Sequence, residues 1–137
     1  MLMEQVLKNS STLADALKSY GFRLVGGKTE NHIVLLDVRS RGLKGNVFQD
    51  ALERAGITSN RNLIPFDPES AIVTSGIRLG TTGVTQRGMK EEDIREVAAL
   101  IDRVASAPED EKNIQECRKK TLEMSKQFPL YPLGSFD

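Results

Sequence analysis

Val73-Thr74-Ser75-Gly76-Ile77-Arg78-Leu79-Gly80 alternates strictly. Val73, Ser75, Ile77 and Leu79 fall on one side of an extended chain, and Thr74, Gly76, Arg78 and Gly80 on the other. A period of two with one apolar side predicts a strand whose partner layer covers that side only. Working outward, His32-Ile33-Val34-Leu35-Leu36-Asp37-Val38 reads as a strand buried on both faces, and Phe22-Arg23-Leu24-Val25 as a shorter one before a Gly26-Gly27-Lys28 turn. Ile57-Thr58 adds a brief strand. Four other stretches carry the helical period. Residues 3–20 place Met3, Val6, Leu7, Leu13, Ala14, Leu17 and Tyr20 on one stripe, stopped by Gly21. Val47, Phe48, Ala51, Leu52 and Ala55 mark a second helix closed by Gly56. Ile94, Val97, Ala98, Ile101, Val104 and Ala105 mark a third, with Glu91, Glu92 and Asp93 where the helix dipole favours negative charge. Pro108 opens a fourth, striped by Ile114, Cys117, Thr121, Met124 and Phe128, before an extended Pro129-Leu130-Tyr131-Pro132 tail. The sum is an α+β domain: a small, mainly antiparallel sheet covered by helices.

At 137 residues, the chain is read as a single domain over 1–137, and its 39% hydrophobic content suffices for one core. Lys plus Arg and Asp plus Glu number 19 each, so no net field draws the chain to nucleic acid or to an anionic membrane. The apolar runs are strand-sized, and the first residues lack the basic stretch and apolar run of a secretory signal. The one cysteine, Cys117, cannot close an internal disulfide, and with the one histidine, His32, it cannot build a structural zinc site. These features read as a cytoplasmic protein.

Residues 60–74 lack periodicity and hold Pro65 and Pro68, so they read as a long loop, a length that is usually functional. Arg78 has a glycine two residues before it and another two after, which leaves its guanidinium uncovered on that face. A planar fork there suits a ligand carboxylate, which takes two parallel charge-assisted bonds; the bland reading is a solvated arginine or a structural ion pair. Asn60 and Asn62 offer carboxamides able to donate and accept toward a heterocycle, and asparagine is equally a turn former. His32 reads as a hydrogen-bonded structural residue and Cys117 as a packed thiol. No glycine-rich phosphate loop of either common type occurs.

Read as words, the chain resembles the C-terminal domain of serine hydroxymethyltransferase. Thr29-Glu30-Asn31-His32 before Ile33-Val34-Leu35-Leu36-Asp37 is similar to that family's Thr-Asp-Asn-His strand start. Asn60-Arg61-Asn62 with Pro65-Phe66-Asp67-Pro68 is similar to its Asn-Lys-Asn and Pro-x-Asp-Pro loop. Val73-Thr74-Ser75-Gly76-Ile77-Arg78-Leu79-Gly80-Thr81 resembles its carboxylate-binding strand, and Thr85-Gln86-Arg87-Gly88 and Phe128-Pro129-Leu130-Tyr131 its later signatures. The resemblance implies the small domain of the aminotransferase-like fold. It also implies an enzyme that uses pyridoxal phosphate to interconvert serine plus tetrahydrofolate with glycine plus methylenetetrahydrofolate, as a homodimer. Carried over by position, Arg78 binds the substrate carboxylate and Asn62 the folate pterin. The family's Schiff-base lysine, its pyridinium aspartate and its stacking histidine belong to a large domain that precedes such a segment, and no lysine here stands in the family's Thr-His-Lys setting. The chain taken alone is therefore expected to be inactive and to expose an apolar patch where that large domain docks. A free-standing carboxylate-binding or interaction module is the alternative.

The chain departs from the family pattern at Lys28 (usually glycine), Glu30 (Asp), Thr82-Gly83 (Pro-Ala) and Lys44, which occupies a threonine helix-cap site. A lost cap is expected to cost about 1 kcal/mol, and the added glycine a similar amount.

Overall fold

The computed structural model describes residues 2–26, 33–80 and 88–127. Helix α1 (Leu2–Ser19) buries Val6, Leu13, Ala14 and Leu17, and Gly21 turns the chain at φ 92°. Met3, Leu7 and Tyr20 of the expected stripe stay largely exposed, while Asn9 is fully buried with its amide donating to the Met89 carbonyl at 2.9 Å. Strand β1 keeps only Arg23–Leu24 of its expected span, and β2 runs Ile33–Asp37. A 3-10 turn, Val38–Arg41, follows, started by the Asp37 carboxylate and ended by Gly42 in the left-handed region. Helix α2 is Gly45–Arg54, β3 is Asn60–Asn62, β4 is Gly76–Gly80, α3 is Glu91–Ser106 and α4 is Glu111–Gln127.

The sheet order is β1-β2-β4-β3, antiparallel at every junction. The fold is the expected α+β arrangement. One face carries Leu24, Val34, Leu36, Ile77 and Leu79, which join Leu17, Phe48, Leu52, Ile94 and Ile101 in one core. Helices α1 and α2 lie on that face, α3 packs on both, and α4 closes the outside against α2 and α3. The rings of Phe22 and Phe48 stack 5.8 Å apart, and the Arg41 guanidinium covers Phe22 at 4.9 Å while pairing with Asp102 at 2.8 Å.

Four further local expectations change. The strand read from Val73 begins only at Gly76, because residues 73–75 turn, with Thr74 at φ 58°. Asn60, Arg61 and Asn62 form an edge strand rather than a loop, because β4 offers them a ladder that no apolar alternation announces. Ile57 and Thr58 form no strand, since Ile57 instead closes the end of α2 through its amide on the Leu52 carbonyl. The fourth helix starts at Glu111, not at Pro108, because the Asp110 carboxylate accepts from the amides of Lys112 and Asn113.

Lys44 caps α2 without a side-chain hydrogen bond, yet the helix's first donors are not orphaned: Gly45 N–H bonds the Thr74 carbonyl and Asn46 N–H the Val73 carbonyl, both at 2.9 Å. The approach is so close that a Cβ on Gly45 would collide with Thr74 Oγ1 and lie 2.8 Å from the Val73 carbonyl oxygen. Residues 27–32, 81–87 and 128–137, with His32, Lys28, Glu30, Thr82-Gly83 and the two later signatures' main parts, lie outside the described residues.

Candidate functional site

The register assigns the face opposite the core. Arg23, Asp37, Gly76 and Asn62 form one row across the four strands, and Leu35, Arg78 and Asn60 the next. Arg78 sits on a central strand between Leu35 and Asn60, and its side chain is exposed. Asn62 is half-buried on the edge strand opposite Gly76, two residues from Arg78. The two candidate residues are thus diagonal neighbours on one face, roughly 7–8 Å apart on such a ladder. The Asn62 amide donates to the Leu63 carbonyl at 2.9 Å.

Charge on this face is sorted by Asp37. Its carboxylate, almost fully buried, accepts from Arg39 Nε at 2.9 Å, Arg39 Nη2 at 2.8 Å and Arg23 Nη1 at 2.6 Å. The Arg39 hydrogen bonds outweigh burial and, with Arg23, hold the Asp37 carboxyl below its ordinary range. Two neighbouring guanidinium groups are thereby engaged. The Arg78 side chain makes no hydrogen bond or ion pair among the described residues, so its bland reading as a structural ion pair has no partner there.

The glycine argument for Arg78 needs correction on one side. Gly76 leaves no opening: a Cβ there would overlap the Asn62 carbonyl oxygen and lie 2.9 Å from Ile64 Cγ2. Glycine is needed because β3 approaches so closely, not to admit a ligand.

The connection from β3 to β4 is built around Asp67, which the sequence reading treated as part of a turn. Its Oδ2 accepts from Ile64 N at 3.2 Å and Ser75 N at 2.8 Å; its Oδ1 accepts from Glu69 N at 2.9 Å and Ser75 Oγ at 2.7 Å. Partial burial pushes this carboxyl up, but the hydrogen bonds from Glu69, Ser75 and Ile64 overcome it and hold the pKa at about 2. The only available signal was an acid placed between two prolines in a long segment. Arg61 Nη1 also ties the segment down by donating to the Ile72 carbonyl. Leu63, Phe66 and Ile72 project from it, the last two largely or wholly exposed.

Cys117 is buried on α4, where burial pushes its thiol up and away from nucleophilic use. Among the described residues there is no group of three or more His, Cys, Asp or Glu side chains placed to hold a metal, and no helix long and apolar enough to cross a membrane. The family model for serine hydroxymethyltransferase matches residues 1–101, from α1 through all four strands and into α3.

Proposed function

The chain belongs to the serine hydroxymethyltransferase family, and from that premise we propose that its open sheet face is the part of such an enzyme that holds the two substrates. Arg78 takes the α-carboxylate of serine or glycine, and Asn62 takes the pterin of tetrahydrofolate. The observation that carries this reading is the exposed guanidinium of Arg78, without a partner among the described residues, one row from the Asn62 carboxamide.

Each residue's role follows from its chemistry. Two parallel N–H donors fix both oxygens of a carboxylate, setting the orientation of the amino acid as well as its affinity. A carboxamide matches the alternating donors and acceptors at a heterocycle's edge. Asp37 contributes by engaging Arg23 and Arg39, which would otherwise compete with Arg78 for the same anion. In water these contacts are weak, so the reading requires a second surface that covers the face and excludes solvent. Leu63, Phe66 and Ile72 supply apolar area beside the site for such a surface.

Pyridoxal phosphate, the group this family works with, supplies the electron sink for breaking the bond to the substrate's hydroxymethyl carbon. The described residues of this chain do not fit it. Every lysine among them is solvent-exposed, and none sits in the desolvated setting that turns an ammonium into a nucleophile at neutral pH. The proposed role is therefore substrate holding in a cytoplasmic homodimer whose cofactor is gripped by a large domain, with the 137 residues inactive by themselves.

The test restores that domain. Arg78→Ala in the assembled enzyme is expected to weaken serine and glycine binding by about 1.5–3 kcal/mol, with Arg78→Lys failing to rescue because a point charge lacks the fork. Asn62→Ala is expected to weaken folate binding by about 1–3 kcal/mol and leave glycine unaffected. Unchanged amino-acid affinity in Arg78→Ala would return that residue to a solvated surface role.

A further inference from the structure

Asn62 and Arg78 are held by unequal means. Arg78 lies on β4, which is paired with β2 through five residues from Ile33↔Gly80 to Asp37↔Gly76. Asn62 ends a three-residue edge strand whose one sheet partner among the described residues is β4. A ladder that short, with its exposed Asn60 and Arg61, brings little apolar burial of its own. Something else must fix where Asn62 stands.

Asp67 is the group in position to do so. Its two carboxylate oxygens bind backbone or hydroxyl donors on both sides of the connection: Ile64, two residues after Asn62, and Ser75, the residue before β4 begins. The same Oδ2 serves both the Ile64 and Ser75 amides, so the two ends of the segment meet on one atom. Ser75 is in turn anchored to the rigid part of the sheet, because its carbonyl accepts from Val38 N–H at 2.9 Å. The Ile64 side chain, drawn in by this clamp, fills the space above Gly76 opposite Asn62. Arg61 Nη1 on the Ile72 carbonyl and Gln49 Nε2 on the Ser59 carbonyl steady the start and middle of β3, while Asp67 acts at the end that carries Asn62.

We propose that Asp67 is a positioning residue, which sets the place of Asn62 relative to Arg78 by clamping the β3–β4 connection, and so controls the heterocycle contact without controlling the carboxylate contact. The proposal rests on the substrate-holding reading above. It deepens that reading by assigning the site's second anchor a dedicated support. The carboxylate needs no help from a ligand to do this, since all four of its hydrogen bonds are internal.

The experiment reads two things with and without Asp67→Asn: exchange in the 137-residue chain labelled for NMR, and binding in the enzyme assembled with its large domain. Amide hydrogen exchange reports the clamp directly: Asp67→Asn is expected to lose protection at Asn62 at least tenfold while Val34, Leu36, Ile77 and Leu79 retain theirs. Titration of the assembled enzyme with 5-formyltetrahydrofolate and, separately, glycine, followed by calorimetry, then reports the site. The folate Kd is expected to rise at least fivefold, with the glycine Kd unchanged. Asp67→Glu, which keeps the charge, is expected to recover part of the folate affinity. Equal losses for both ligands, or unchanged exchange at Asn62, would overturn the proposal. Asn62→Ala separates the two levels. If it weakens folate binding while Asp67→Asn does not alter it, the clamp fails and the reading stands. If neither substitution alters folate binding, or the unsubstituted assembled enzyme shows none, the reading fails and takes the positioning role with it.

Discussion

The two faces of the sheet are made from alternate residues of the same strands, yet they obey different rules. On the helix side, Leu24, Val34, Leu36, Ile77 and Leu79 are each at most 6% exposed, and the surrounding side chains come from every helix. On the open side the same strands show Arg23, Asp37, Arg78, Asn60 and Asn62, where Asp37 is held by hydrogen bonds from Arg23 and Arg39 while the Arg78 guanidinium has no partner among the described residues. Packing is collective and tolerates no single loss cheaply, whereas a polar face is a set of separable pairs. Stability and ligand contact should therefore come apart by mutation.

The largest break is expected in the core. Phe48→Ala removes a fully buried ring stacked on Phe22 and should cost about 3–5 kcal/mol in urea denaturation, a large share of what a domain of this size has. Arg78→Ala, on the other face of the sheet, should move the same midpoint by no more than about 0.5 kcal/mol. A large stability loss there would mean that the guanidinium is structural. Gly76→Ala probes the boundary between the two faces: its methyl group must displace the Asn62 carbonyl, so we expect about 1–3 kcal/mol of destabilisation together with detachment of β3.

Acid sharpens the comparison from the polar side. Asp37 and Asp67 have folded-state pKa values below the unfolded value of 3.8, with Asp67 at about 2. The unfolded chain then binds more protons between those limits, so the stability these groups contribute is complete above about pH 4. It is lost as pH falls toward about 2. Urea midpoints measured across that window should drop steeply for the unsubstituted chain and less steeply for Asp67→Asn.

The smallest effect concerns Lys44→Thr. A new N-cap usually adds about 1 kcal/mol, but Asn46 N–H already has the Val73 carbonyl, so a gain of no more than about 0.3 kcal/mol is expected in thermal unfolding. The expected cost of Lys44 at the cap site is thus largely offset by backbone from another part of the chain.

That offset also shows what a sequence can and cannot disclose. The helices and the two longer strands were legible because burial writes a period into the residues that face it, as at Leu13, Ala14 and Leu17 or at Ile77 and Leu79. Arg78 stands out in the sequence through its two flanking glycines, Asn62 as one of two carboxamides, and the family resemblance supplies the role proposed for each. Strand β3 was not, since an exposed edge strand of Asn-Arg-Asn carries no apolar alternation and exists only through its partner. Asp67 was hidden because its meaning lies in Ser75, eight residues away, and a carboxylate that gathers four donors looks in sequence like any turn former. The role of Gly76 was misread because an opening for a ligand and a close approach of backbone leave the same glycine behind.

Thr74 carries a further consequence for how the molecule breathes. It holds a left-handed backbone at φ 58°, a conformation that costs a β-branched residue on the order of 1–2 kcal/mol, and it does so while its carbonyl accepts from Gly45 and its hydroxyl donates to the Gly76 carbonyl at 3.0 Å. Release of either bond frees the residue to relax, and relaxation pulls its carbonyl from the first turn of α2. The start of the helix, Thr74 and the first residue of β4 are thus expected to open as one event. In kinetic terms this junction is a single latch, expected to show as the Gly45 and Asn46 amides exchanging at one common rate.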